Sequence, residues 1–122
     1  MMIKEIENML GKPYGADLKG QSRKFVCWKF CRDIYKLLGL HLNLQHQTGL
    51  TRIENPEISC IVLFCVAGLW HAGVVWPDTL HFIHAAAADM SELYPTEYIV
   101  RKERLTSWPY KMLIEGFYES KK

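Results

Sequence analysis

The sequence predicts an α+β domain in which helices come first and antiparallel strands follow. Apolar residues recur at helical spacing over residues 2–11 and again from about Phe25 to Leu38. From Ser59 onward the apolar runs are short, β-branched and bounded by turn residues, which is the pattern of strands. Helices grouped before strands, rather than alternating with them, point to α+β. Residues 1–122 are expected to form a single domain, because domains cluster near ~100–150 residues.

Ile3, Ile6, Met9 and Leu10 space a short first helix, which ends at Gly11 before Pro13. Residues 12–24, with Gly, Pro, Asp and Ser, read as a loop. Cys27, Phe30, Cys31, Ile34 and Leu38 then fall at i, i+3, i+4, i+7 and i+11, one face of a second helix. Trp28, Lys29, Arg32, Asp33 and Lys36 turn elsewhere, and Gly39 supplies the expected stop. The polar stretch 43–56 is expected to be irregular. Strands are expected at 59–66, 70–76 and 80–85, the last two joined around Pro77 and Asp78. A further strand is expected to start at 98–100, and another at 112–118 after the Trp108–Pro109 break.

Composition narrows the function classes. With 49% hydrophobic and 12% aromatic residues the chain can build a core, so intrinsic disorder is not expected. The net charge of +2 is small and Lys and Arg do not cluster, so no nucleic-acid partner is expected. The longest apolar stretch, 60–70, has 11 residues including a glycine, against the ~20 needed to span a bilayer; no membrane partner is expected. The first twelve residues are partly acidic and lack an apolar core region, so they do not read as a secretory signal. A protein that is cytoplasmic as synthesised is expected to keep its four cysteines as free thiols.

Cys27 opens the second helix, where partial positive charge and unpaired N–H groups favour a thiolate and could receive an oxyanion. Arg23 and Lys24, just upstream, add to that bias. The same position, beside Phe30 and Ile34 on an apolar face, also suits a buried structural cysteine. The histidines shift the balance. If the hairpin turns on Pro77 and Asp78 alone, His71 lies directly opposite His84. A four-residue loop moves the pairing by one diagonal but keeps both on one face, whereas a three-residue loop separates them. Gly73, beside His71, is expected to leave open space for a substrate or nucleophile. His81 should face the other way, and His41 and His46 should be solvated. Cys27, His71 and His84 together fit a thiol, a base and a group that orients the base. A metal centre is the rival for the same atoms, since Cys27 and Cys31 share a helix face. Cys60 and Cys65 point to opposite faces and no Cys-x-x-Cys is present, so no metal site is expected.

Several motifs occur in a telling order: Gly-Lys-Pro-Tyr (11–14), Cys-Trp-x-Phe-x-x-x-Ile-Tyr-x-x-x-Gly (27–39) and the apolar strand Ile61–Phe64. Trp-His-Ala-Gly-Val-Val (70–75), Phe-Ile-His-Ala (82–85) and Ser-Trp-Pro-Tyr-Lys-Met-Leu-Ile-Glu-Gly-Phe-Tyr (107–118) follow. Together they resemble the NlpC/P60 family of cysteine peptidases, the Cys-Trp pair and the tail being similar to phage-type members. The resemblance implies a papain-like α+β fold, with N-terminal helices and the nucleophile helix packed on an antiparallel sheet. It implies cleavage of amide bonds in peptidoglycan stem peptides, commonly between D-γ-glutamyl and a diamino acid. By position Cys27 is then the nucleophile, His71 the base, His84 the orienting residue and Tyr14 a hydroxyl lining the site; neither metal nor organic cofactor is required. The chain departs from the family at Val26, where Asp is usual, at Lys29, at Gly15 and at Ser59–Cys60. Its His71–His84 spacing is one residue longer, which an enlarged turn would absorb. Two alternatives accompany this expectation: a non-catalytic cell-wall-binding or phage-tail assembly module, and a related domain acting on another amide or ester. Phage-tail or secretion-machine proteins are the expected partners if the protein reaches the wall in a virion or by dedicated export.

Overall fold

In the computed structural model, which describes residues 3–18, 20–42, 50–88 and 92–120, the first helical stretch forms α1 (Ile3–Met9), anchored by fully buried Ile6. The second forms α2 (Arg23–Leu37). Ser22 caps it, its side chain accepting a hydrogen bond from the Phe25 N–H at 3.3 Å. The helix closes at Leu38, where Gly39 takes φ +75°, a left-handed conformation that glycine adopts without penalty. Because the cap is Ser22, Cys27 lies in the second turn rather than at the helix tip, where the sequence had suggested it.

Six strands follow: β1 (Leu50–Ile53), β2 (Ile61–Val66), β3 (Leu69–Val75), β4 (His81–Ala87), β5 (Tyr98–Arg104) and β6 (Ile114–Ser120). They form one antiparallel sheet in the order β1-β6-β2-β3-β4-β5. Two elements differ from expectation. Residues 50–53 form an edge strand on β6, although the stretch 43–56 was expected to be irregular; residues 43–49, with His46, lie outside the described residues. Four residues are too few to show an alternating pattern, so only the partner strand reveals β1. The last segment splits into a short helix, α3 (Tyr110–Leu113), and β6.

The papain-like architecture expected from the resemblance is corrected here. A six-stranded antiparallel sheet dominates the described residues, and the helices have only seven, 15 and four residues. These are too short to make the helical half that such a fold requires. Strand alternation instead divides the core between the two sheet faces. On one face Val26, Phe30 and Ile34 of α2 share a cluster with Leu63, Ala72, Val74, Ile83, Ala85 and Val100. On the other, Val62, Phe64, Val75, Phe82 and Leu105 pack with Tyr110 and Leu113. Among the described residues no helix is long and apolar enough to cross a membrane.

The β3–β4 hairpin decides the placement of the histidines. Val74 pairs with Ile83 and Val75 with Phe82, and the Trp76 N–H bonds His81 O at 3.1 Å. Residues 77–80 therefore form a four-residue turn, so His71 and His84 stay on one face, displaced by one diagonal. The ladder stops at Val74–Ile83, and towards His71 the two strands part.

Gly73 leaves no open space, contrary to expectation, because β4 fills it. A Cβ there would meet Ile83 O at 2.9 Å, a Phe82 ring carbon at 3.0 Å and His84 Cβ at 3.3 Å. Since the nearest atom is backbone, Gly73→Ala is expected to cost about 1–3 kcal/mol, as overpacking of a tight core does. Urea denaturation measures this as a lower midpoint at unchanged slope; an unaltered midpoint would refute the close approach.

Candidate active site

His71 and His84 project with Phe64, Phe82 and Tyr110 from the sheet face opposite α2. Both are fully buried, and His71 Nε2 lies 2.8 Å from His84 Nδ1, a hydrogen bond across the parting strands. His71 Nδ1 makes no hydrogen bond. Burial holds the His71 pKa well below the ordinary histidine value, with His84 and then Arg23 pushing the same way. Burial also lowers His84, against a smaller opposing pull from Glu103. Both rings are therefore neutral near pH 7, and the short contact holds a single proton.

Cys27 is reached from the other face. It is 1% exposed, and its thiol donates to Lys24 O at 3.2 Å. The amides of β3 alternate between neighbours: the Val75 N–H bonds Cys60 O beside β2, and the Trp76 N–H bonds His81 O in β4. Even-numbered amides thus point towards β4. At Ala72 β4 has parted from β3, and the Ala72 N–H lies against the Cys27 thiol instead. Burial dominates the thiol and pushes its pKa up to about 11. The Ala72 N–H, the Arg23 charge and the Trp28 and Cys27 amides pull it back in that order. The expected activated thiolate at a helix tip is therefore not the resting state, because desolvation outweighs every group that favours the anion.

The structure thus brings His71 to His84, and brings Cys27 to the β3 amide that adjoins His71. It forms no hydrogen bond between thiol and imidazole. Tyr14 is engaged elsewhere on α2. Its hydroxyl donates to Asp33 Oδ2 at 2.6 Å and its ring meets Phe30 edge-on at 5.1 Å. Asp33, six residues past Cys27 on α2, thus takes the hydroxyl that the resemblance gave to the site. Burial and then Asp33 hold the Tyr14 pKa far above the ordinary tyrosine value. His81 faces away, as its parity predicts, and bonds Asp78 in the turn at 2.9 Å; His41 is exposed.

Sequence reasoning missed three neighbours of this arrangement and the burial of a fourth. Arg23, expected as a charge that favours the thiolate, does pull the Cys27 pKa down, but from a fully buried position at the start of α2. Tyr98, on the α2 face of β5, buries a hydroxyl that makes no hydrogen bond. Glu103 and Tyr110 approach His84 from the far side. Alternation along β5 could have put Glu103 on the histidine face, but only the β4–β5 register says which residue it meets. All four cysteines are free thiols, and among the described residues no group of three or more His, Cys, Asp or Glu could hold a metal ion.

No protein-family model matches the chain, and no curated protein matches it in sequence. Among solved structures it is similar to a Staphylococcus aureus protein described as similar to lipoprotein, NLP/P60 family. The TM-score is 0.66 over 99% of this chain at 17% sequence identity, and the match spans 40% of that protein's length. The likeness shows an NlpC/P60-like fold.

Proposed function

We propose that this chain is a cysteine hydrolase that cleaves amide bonds in peptidoglycan stem peptides, of the γ-D-glutamyl–diamino acid endopeptidase or amidase type. One observation carries the reading: a buried His71–His84 pair leaves His71 Nδ1 without a hydrogen-bond partner, on the residue adjoining the amide at the Cys27 thiol. The NlpC/P60-like fold supports the substrate class.

In this reading the Cys27 thiol turns from Lys24 O towards the gap where β4 has parted from β3, its proton passes through that gap to His71 Nδ1, and the sulfur attacks the amide carbonyl carbon. The Ala72 N–H beside the sulfur, left without a β4 partner where the strands part, supplies a donor to the developing oxyanion. His71 returns the proton to the leaving amine, and water then cleaves the acyl thioester to regenerate the thiol. Neither a metal nor an organic cofactor takes part in these steps.

Purified protein incubated with muropeptides should release stem-peptide fragments, and Cys27→Ala should release none. Equal products from both proteins, or none from either, would remove the hydrolase reading for that substrate.

A second reading rests on the sealed thiol. With Cys27 1% exposed and its pKa near 11, the domain would bind cell wall without cutting it. Iodoacetamide separates the two at pH 8. Labelling of Cys27 in the folded protein favours catalysis, whereas an unlabelled Cys27 in a protein that sediments with cell walls favours binding.

A further inference from the structure

Glu103 lies in β5 opposite Phe82, one diagonal from His84, with Arg101 directly across from His84. A single oxygen of its carboxylate, Oε2, gathers three polar groups. These are His84 Nε2 at 3.5 Å, the Tyr110 hydroxyl at 3.3 Å and Arg101 Nε at 3.1 Å. The Glu103 side chain is 16% exposed while His84 is sealed, so the carboxylate sits at the edge of the histidine pocket.

We propose that Glu103 is a positioning residue that sets which nitrogens of both histidines carry protons, extending the pair into a chain Glu103–His84–His71. The argument is a count of protons. Only one fits between His71 Nε2 and His84 Nδ1 at 2.8 Å. A carboxylate beside His84 Nε2 requires a proton on that nitrogen, so neutral His84 has a bare Nδ1. His84 Nδ1 must then accept from His71, which places the His71 proton on Nε2 and leaves His71 Nδ1 bare. In the opposite arrangement His84 carries its proton on Nδ1, His71 Nε2 is bare, and His71 Nδ1 holds a proton and cannot act as a base. The carboxylate selects between these two states, and imidazole alone does not. Tyr110 and Arg101 hold Glu103 in place and ionised. The charged or titratable groups around the pair are thus Glu103 and Arg101 from β5, Tyr110 from α3 and Arg23 from α2.

The tautomer assignment stands on the geometry of two neutral rings and one carboxylate; its catalytic consequence rests on the hydrolase reading above. Long-range proton–nitrogen correlation of the histidine side chains, on the labelled full chain at pH 7.5, tests the assignment directly. Both His71 and His84 should be Nε2–H in the unmodified protein. In Glu103→Ala, His84 should populate Nδ1–H, whereas Glu103→Gln should keep Nε2–H because its amide oxygen still accepts. On muropeptides, Glu103→Ala should lower kcat by roughly 10–100-fold, the scale seen for outer partners that orient a histidine, with KM changed less than about twofold and most activity restored by Gln. An Nδ1–H signal for His84 in the unmodified protein, or unchanged tautomers in Glu103→Ala, overturns the proposal. Tautomers that follow Glu103 in a protein inert towards muropeptides would uphold it and remove the hydrolase reading. Full cleavage by Glu103→Ala with unchanged tautomers would do the reverse.

Discussion

Exchanging His71 for glutamine is expected to slow amide hydrolysis by about 10²–10⁴-fold, the usual contribution of a positioned general base. Glutamine can still donate to His84 Nδ1, so the buried acceptor keeps a partner and the strand pairing is spared. It offers no nitrogen able to take the Cys27 proton. The thiol then starts from a pKa near 11 with no base to help it, and kcat should rise with pH throughout the neutral range. Steady-state kinetics on muropeptides between pH 6 and 9, beside a thermal melt to confirm folding, measure this. A His71→Gln protein with kcat within a few fold of the unmodified protein would show that His71 is not the base.

The second large effect is on stability. His71 and His84 are both held below the ordinary histidine value of 6.5 by burial. Below that pH the unfolded chain binds protons that the folded chain refuses, so stability falls as pH drops. The slope is about 1.4 kcal/mol per pH unit for each proton, and one to two protons are at stake. The loss begins near 6.5 and continues down to the folded-state values. Glu103 works in the same direction at lower pH, because His84 foremost holds its carboxyl below the usual carboxylate value. Denaturant titrations at pH 7.5, 6.5 and 5.5 should show a falling midpoint, with a smaller fall in His71→Gln, which lacks one of the two groups. A midpoint that is flat or rises towards pH 5.5 would contradict buried neutral histidines.

Strand parity by itself made the histidine pair legible. A period of two puts residues 71 and 84 on a common face for turns of two or four residues, and the four-residue turn at 77–80 is the one formed. Helical spacing likewise marked Cys27, Phe30, Cys31 and Ile34 as one buried face of α2. The helix start was misplaced because Ser22, four residues before the first buried apolar residue, is the cap. Tyr14 was assigned by position in a motif, and motif position carries no information about Asp33, which takes its hydroxyl. Gly73 was taken to leave space because a missing side chain does so locally; β4 enters that space from the next strand.

From the sequence alone came the properties that depend on neighbours close along the chain: α2 and its apolar face, the run of strands, and the shared face of His71 and His84. The tertiary structure decided what depends on contacts distant in sequence. It settled the predominance of a six-stranded sheet over the helices, the parting of β3 from β4 that turns the Ala72 amide to the thiol, and the approach of Glu103 to His84. The physical reason is that periodicity determines the direction of a side chain relative to its own backbone. Burial, pKa and hydrogen-bond partners are set by whichever strand arrives on the other side.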